Sequence, residues 1–437
     1  MVYEEAESYL LTVPRFAKKN TLEDTKAFLH CLGDPGREKT VIHIAGTNGK
    51  GSVCAYLSSV LRRAGYRTGM FTSPHLTTMR ERVRISGEPV SEKDFIKYFE
   101  LVKNKLEQGI PGKDDYRPTF FEMLFFMAML CFEEENVQVI LLETGLGGRL
   151  DATNCVDRKD VCIITEIGLD HMEYLGGTIA EIAGEKAGIL RKGVPVVYAD
   201  HRQEASEVIR QKAEMLDCPA FSVSKRDVRN LEFRKNFIDF SFDTRYYGYI
   251  RCLLATCAPY QVENAVLALR ALDVLSDRLP VSSEALTEGM REMRWEGRME
   301  EICAGVYLDG AHNIDGICGL LDAVGRDGCT GERFLLFSAV EDKQYRQMIG
   351  LLTAGRLFDQ VFVTEIRNVR GLTAEVLSQA FRAAGAEHVT VYPEADRALE
   401  ELLDRKRPED RAYIAGSLYL AGEIKEAVKK REQNDRF

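Results

Sequence analysis

"VIHIAGTNGKGSVCAYLSSVL", Val41 to Leu61, is the stretch from which the rest of the chain is read. Val41, Ile42, Ile44 and Ala45 make the short apolar run of a buried parallel strand. After the glycines, Val53, Tyr56, Leu57, Val60, Leu61 and Ala64 recur at helical spacing, and Gly65 suits the end of that helix. Strand, glycine loop and helix in this order gather backbone N–H groups and the positive end of a helix dipole around an anion. The common phosphate loop has four residues between its first glycine and Gly-Lys-Ser/Thr. Here Gly46 is followed by only two residues before Gly49-Lys50, and Gly51 precedes Ser52. In such a loop Lys50 reaches the outer phosphates and Ser52 lies near a metal. The plainer alternative is a tight turn with its lysine in solvent.

The same order recurs along the chain. "VQVILLETGLGG" (Val137 to Gly148) predicts a buried strand ending at Glu143, and "DVCIITEIGLDH" (Asp160 to His171) another ending near Asp170. "GVPVVYAD" (Gly193 to Asp200) follows a helix. From about Arg226 to Leu254, aromatic and charged residues alternate, which predicts antiparallel strands on the edge of this domain. Beyond Trp295, "FLLFSAV", "QVFVTE", "HVTVY" and "AYIAGSL" alternate with amphipathic helices, as in a second α/β unit with a mostly parallel sheet. The expected fold is α/β. An N-terminal P-loop ATPase-type domain with a mostly parallel sheet takes residues 1–297, and a smaller C-terminal Rossmann-like domain takes 298–437.

Composition narrows the function. A net charge of −10 argues against nonspecific nucleic-acid binding, although Arg80, Arg82 and Arg84 form a local basic cluster that can hold a small anion. Eleven cysteines are scattered without metal-ligand spacing, which reads as reduced, mostly buried thiols. The opening "MVYEEAESYL" is acidic where a signal peptide would be basic, and the apolar run Met123 to Phe132 is too short to span a bilayer. The expectation is a cytoplasmic monomer with no membrane or nucleic-acid partner.

Several residues are candidates for chemistry. Glu143 ends an apolar strand and precedes the glycine-rich "TGLGGRLDATN", where ligands of open α/β sheets bind. A carboxylate beside phosphates suits Mg²⁺, and a solvated or helix-capping glutamate is the alternative. His171 is a weaker candidate, since a lone histidine there is more often a hydrogen-bonded structural residue. Thr178 and Glu181 form a capping box opening the helix "TIAEIAGEKAGIL", with Ile179, Ile182, Ala183 and Lys186 on one face. A lysine in an apolar stripe either snorkels to water or has its pKa lowered by desolvation, so that it adds CO₂ and becomes a carbamate metal ligand. In the second domain "VYLDGAHN" carries Asp309 and His312 in a glycine loop, and Arg298 lies in "EGRME". Each has a bland reading as a turn or linker residue.

Taken together, "GTNGKGS", "TSPHL", "ETGLGGRLDATN", "IGLDHMEYLG", "EKAGI", "GRME", "LDGAHN" and "GSLYLAGE" resemble, in order, folylpolyglutamate synthase and its bifunctional dihydrofolate synthase relatives within the ATP-dependent Mur ligase superfamily. The resemblance runs from the phosphate loop to near the C-terminus. It implies that Thr47, Asn48, Gly49, Lys50, Gly51 and Ser52, with Asn264, Arg298 and Asp309, bind ATP, and that His312 lies beside that site. It gives a first Mg²⁺ to Ser73 and Glu143 and a second to Glu143, His171 and Lys186, the lysine carbamylated by CO₂ or bicarbonate. The pterin end of a folate would lie on Thr119, Phe120, Phe121 and Glu122, near Leu150, Asp151 and Ala152. The implied reaction joins L-glutamate to folate or dihydropteroate through an acyl phosphate, with Lys50, Glu143, His171, Lys186 and His312 as its catalytic set. Two positions depart from the family pattern: Tyr260 stands where a histidine is usual, and Gln344 where an acidic residue is common. A P-loop kinase or regulatory NTPase would explain Lys50, Ser52 and Glu143 but not Lys186 or "LDGAHN". A folate-binding scaffold has no use for metal and phosphate ligands. Another Mur-type ligase, acting on peptidoglycan precursors, is the nearest rival.

Overall fold

The computed structural model describes residues 1–14, 20–111, 116–234 and 236–434. The chain forms two compact units. The first takes Met1–Leu231, Phe240–Leu254 and Glu263–Met293; the second takes Glu232–Asp239, Ala255–Val262 and the chain from Arg294 onward.

The first unit is built on an eight-stranded sheet of β1 (Thr40–Ala45), β2 (Thr68–Phe71), β3 (Val83–Ile85), β4 (Glu88–Pro89), β5 (Val139–Glu143), β6 (Val161–Ile164), β7 (Val196–Ala199) and β8 (Ala220–Val223). Their order is β4-β3-β2-β5-β1-β6-β7-β8. β1 lies near the centre, parallel to β5 on one side and β6 on the other, and is buried along its whole length. Only the β2-β3-β4 edge is antiparallel. Helices on the sheet hide its apolar runs, as a parallel sheet requires. The helix Phe120–Glu134, which contains the apolar run noted above, is buried from Glu122 to Met129 and packs in the same core as Phe71, Ile140 and Leu142. Among the described residues no helix is long and apolar enough to cross a membrane.

The stretch from Arg226 to Leu254 does hold strands, and they stand apart from the large sheet. β9 (Val228–Arg234), β10 (Phe237–Thr244) and β11 (Gly248–Leu254) form a three-stranded sheet of their own, ordered β11-β10-β9. β10 is buried on both faces from Ile238 to Phe242, as a middle strand is, while β9 is exposed over nearly its whole length. One expectation is corrected: β6 ends at Ile164 and not near Asp170. The apolar run stops there, and Thr165 to Asp170 form a connection. His171 is therefore not at a strand end; it is the N-cap of the short helix Met172–Leu175, in the left-handed region at φ 52°.

The second unit contains a six-stranded sheet of β12 (Glu300–Cys303), β13 (Val306–Leu308), β14 (Arg333–Phe337), β15 (Gln360–Thr364), β16 (Val389–Tyr392) and β17 (Arg411–Ala415). The order is β12-β13-β17-β14-β15-β16, parallel except for the β12-β13 pair. Its core gathers Ile317, Leu320, Leu335, Phe337, Val363 and Phe381 between sheet and helices.

Candidate active site

β1 delivers Gly46 at the carboxyl edge of the sheet, and the helix Lys50–Arg63 begins four residues later with Gly49 as its N-cap, φ 88°. Left-handed backbone favours glycine at that point, and a Cβ there would also collide with the Asn264 side chain. Asn264 thus packs against the loop. The first N–H groups of a helix have no intrahelical acceptor, so this turn is a place for an anion. Ser52 is buried in it.

Lys50 curls back over the loop. Its Nζ donates to the carbonyls of Gly46 (3.1 Å) and Thr47 (3.2 Å) and lies 3.8 Å from Glu143 Oε1. Glu143, buried at the end of β5, accepts from the Ser73 N–H at 3.1 Å, which brings "TSPHL" to the same spot. His75 of that segment accepts from Arg82 Nε at 2.8 Å, and Glu81 accepts from the N–H groups of Leu76, Thr77 and Thr78. Lys186, from the helix Ile179–Ala187 opened by the expected Thr178–Glu181 capping box, reaches the loop from another side. It is buried, and its Nζ donates to Gly46 O at 2.7 Å. It does not snorkel to water. Burial, and after it the charge of Lys50, push its pKa down to about 7. Two lysine nitrogens therefore share one carbonyl oxygen.

The loop after Glu143 is held by Asp151. Its Oδ2 accepts from the N–H groups of Gly145 (2.8 Å) and Leu146 (2.9 Å), and its Oδ1 from Thr153 N–H (3.0 Å) and Thr153 Oγ1. Burial pushes this carboxyl's pKa up, against those four bonds. Leu150 is exposed and Ala152 buried. Phe121 lies under the loop: a Cβ on Gly145 would come within 2.6 Å of its ring, and the ring is 5.2 Å from that of Phe71. Glu122 is committed elsewhere. Its carboxylate accepts from Thr25 Oγ1 (2.6 Å), Tyr116 OH (3.1 Å) and, closing the helix cap, Thr119 N–H (2.7 Å).

In the second unit Asp309 follows β13 and is buried. Its Oδ1 accepts from Ala311 N–H (2.8 Å), and its Oδ2 from Met299 N–H (2.9 Å) and the Tyr260 hydroxyl (2.5 Å). Burial pushes the Asp309 pKa up, opposed by Arg298, and pushes Tyr260 well above the usual phenol range. A Cβ on Gly310 would collide with the Arg298 guanidinium, so Arg298 and Asp309 flank one turn. His312 Nδ1 is 2.7 Å from Gly310 O, and Asn313 caps the helix Ile314–Gly325. Gln344 is the N-cap residue of the helix Tyr345–Ala354.

Sequence reading missed Thr165 and Glu166, which bind the Gly46–Ser52 loop through side chain and backbone. Their only signal was two polar residues directly after the apolar run of β6.

The sequence pattern of the Mur ligase middle domain matches residues 44–272, and that of the Mur ligase glutamate ligase domain matches 297–418. The chain is 34% identical over 433 residues to the dihydrofolate synthase/folylpolyglutamate synthase of Bacillus subtilis, covering 98% of this chain and 99% of that one. Among solved structures, folylpolyglutamate synthase of Mycobacterium tuberculosis complexed with ADP and AMPPCP is similar at a TM-score of 0.88 and 27% identity, over 98% of both chains. E. coli FolC in complex with DHPP and ADP is similar at 0.85 and 27%, over 99% of both. The chain belongs to the folylpolyglutamate synthase and dihydrofolate synthase family of Mur ligases.

Proposed function

We propose that the chain is an ATP-dependent ligase that joins L-glutamate to the γ-carboxylate of a tetrahydrofolate. The observation that carries the nucleotide half is the placement of Lys50 over the carbonyls of a helix-opening glycine loop, 3.8 Å from a buried glutamate. Likeness over the whole chain to folylpolyglutamate synthases supports the folate half. A folate carboxylate oxygen attacks the γ-phosphorus, the bond to the bridging oxygen breaks, and ADP leaves an acyl phosphate behind. The glutamate amine then attacks the acyl carbon and loses a proton as inorganic phosphate departs. Lys50 and the N–H groups from Asn48 to Ser52 offset charge on the phosphoryl oxygens, and positioning supplies most of the rest. The family resemblance supports assigning Asn264, Arg298, Asp309 and His312 to the nucleotide. Phe121 and Leu150 offer apolar contacts to the pterin end, and Glu122 and Asp151 shape its surroundings.

The donor set suits magnesium. The Ser73 N–H stands on the Glu143 carboxylate, so a hydroxyl-bearing residue and a carboxylate meet there, a residue pair that suits a first Mg²⁺. Among the described residues no three His, Cys, Asp or Glu side chains stand together as a metal site. The family resemblance adds a second site made of Glu143, His171 and a carbamate on Lys186. Two ammonium groups on one carbonyl oxygen repel, and addition of CO₂ to Lys186 replaces that repulsion with an anion close to Lys50. When bound, the ions would neutralise charge on the transferring phosphoryl group.

The proposal includes a cytoplasmic monomer with its ATP-binding domain in 1–297 and its ligase domain in 298–437. Product mass after incubation with Mg-ATP, glutamate and bicarbonate tests the activity, with tetrahydrofolate and dihydropteroate in separate tubes. A glutamyl gain on both establishes a bifunctional enzyme, and a gain on tetrahydrofolate alone leaves only polyglutamylation. No gain on either, with ATP still bound, overturns the folate assignment.

A further inference from the structure

We propose that His43, in the middle of the large sheet, is a positioning residue: its imidazole directs the Thr153 hydroxyl onto Asp151, and Asp151 holds the loop from Gly145 to Leu150 in the shape that receives the folate. The folate part rests on the function proposed above; the relay rests on the side chains alone. β1 runs Val41, Ile42, His43, Ile44, Ala45, an apolar stretch broken at one position. His43 stands opposite Leu142 of β5 and Cys162 of β6 and is fully buried. Parallel strands so placed carry apolar side chains, and a buried imidazole is costly unless its nitrogens are bonded. Its Nε2 is 2.8 Å from Thr153 Oγ1.

Counting protons sets the direction of that bond. The Thr153 hydroxyl gives its one proton to Asp151 Oδ1, which also accepts the Thr153 N–H at 3.0 Å. The hydroxyl then accepts from His43, so the imidazole carries its proton on Nε2. Nδ1 is buried, and among the described residues nothing bonds to it. A proton there would be a buried donor without an acceptor, a cost that disfavours both the other tautomer and the imidazolium. Burial, and after it the charges of Lys159 and Arg191, hold His43 well below the usual histidine range. The other oxygen of Asp151 takes the N–H groups of Gly145 and Leu146, and Gly145 lies against the Phe121 ring. The chain from His43 therefore ends at the surface assigned to the pterin. Hydrogen bonds in series polarise one another, so losing the first weakens those that follow.

The test uses the full chain and starts with wild type. In protein carrying ¹⁵N-labelled histidine, the His43 resonances, identified by their loss in His43→Gln, should show a proton on Nε2 and none on Nδ1 throughout pH 6 to 8. A proton on Nδ1, or titration within that range, overturns the relay. Three variants follow. His43→Leu fills the space and donates nothing, the amide nitrogen of His43→Gln reaches the place of Nε2, and that of His43→Asn reaches only the place of Nδ1. In the Leu and Asn variants hydrogen exchange at Gly145 and Leu146 should quicken about fivefold or more, and the tetrahydrofolate Kd should rise by a similar factor, as for the loss of one neutral hydrogen bond. The ADP Kd should stay unchanged, and the Gln variant should recover both properties. A Leu variant that matches wild type, as a histidine merely filling the core would allow, overturns the proposal, and so does a Gln variant no better than Asn. If the Leu variant does not fold, the wild-type tautomer and the Gln–Asn comparison decide. A wild type that binds no tetrahydrofolate removes the folate assignment, a separate outcome, and the tautomer and exchange results still judge the relay.

Discussion

Replacing Asp151 by asparagine keeps shape and volume and should still damage the protein, because every donor facing this side chain points inward. The amide can turn its oxygen toward Gly145 and Leu146 or toward Thr153. The first choice leaves one buried donor, Thr153 N–H, facing an NH₂ group; the second leaves two. The first is therefore adopted. An orphaned buried donor costs about 1–3 kcal/mol. The two remaining bonds fall from charge-assisted to neutral strength, about 1 kcal/mol each. Burial pushes the Asp151 pKa up, so removing the charge returns part of this. A net loss of about 3 kcal/mol remains, which at about 2 °C per kcal/mol lowers the unfolding midpoint by about 6 °C. The loop from Gly145 to Leu150 lies over Phe121, so a share of about 1.4 kcal/mol expressed on folate binding raises the folate Kd about tenfold. Thermal unfolding followed by circular dichroism and folate titration by fluorescence measure the two effects, with ADP affinity as an internal control. An Asp151→Asn variant within 1 °C and twofold of wild type on both would refute the account of Asp151 as the organiser of this loop.

Other variants probe the remaining parts. Tyr260→Phe removes one donor from the Asp309 carboxylate, worth about 1.5–3 kcal/mol for a bond to a charged group; kcat/KM for ATP should fall about tenfold or more, and steady-state kinetics checks it. Gly49→Ala places a side chain in left-handed backbone and against Asn264, so ADP affinity measured by calorimetry should drop at least tenfold, a loss of about 1.4 kcal/mol or more. Carbamylation needs the neutral amine, and the Lys186 pKa of about 7 makes that form grow as pH rises through 7. A carbamate signal from ¹³C-bicarbonate in the NMR spectrum should therefore strengthen from pH 6 to 8 and be missing in Lys186→Ala.

The parts of this site that were legible in sequence are those whose information is local. Lys50 follows a strand, a glycine turn and a helix start within one short segment, and the Thr178–Glu181 box announces a helix whose apolar face must then account for Lys186. Each signal is a spacing along the chain, set by helix or strand periodicity. What stayed hidden depends on register. Periodicity says that β6 is buried but not which of its residues stands beside Gly46, and the pairing of Ala45 with Ile164 decides that Thr165 does. A shift of one residue would turn Thr165 to the other face of the sheet. The overlong reading of β6 has the same root: Thr165 and Glu166 suit a strand by composition, yet their polar atoms are taken by a loop more than a hundred residues earlier. Asp151 and Glu122 show the complementary case. Both were read as ligand contacts from their place in a motif, and both carboxylates are occupied by backbone or hydroxyl donors. A motif can mark a residue because the ligand touches it or because the loop would collapse without it. Only the count of lone pairs already used separates the two, and for Asp151 that count favours the loop.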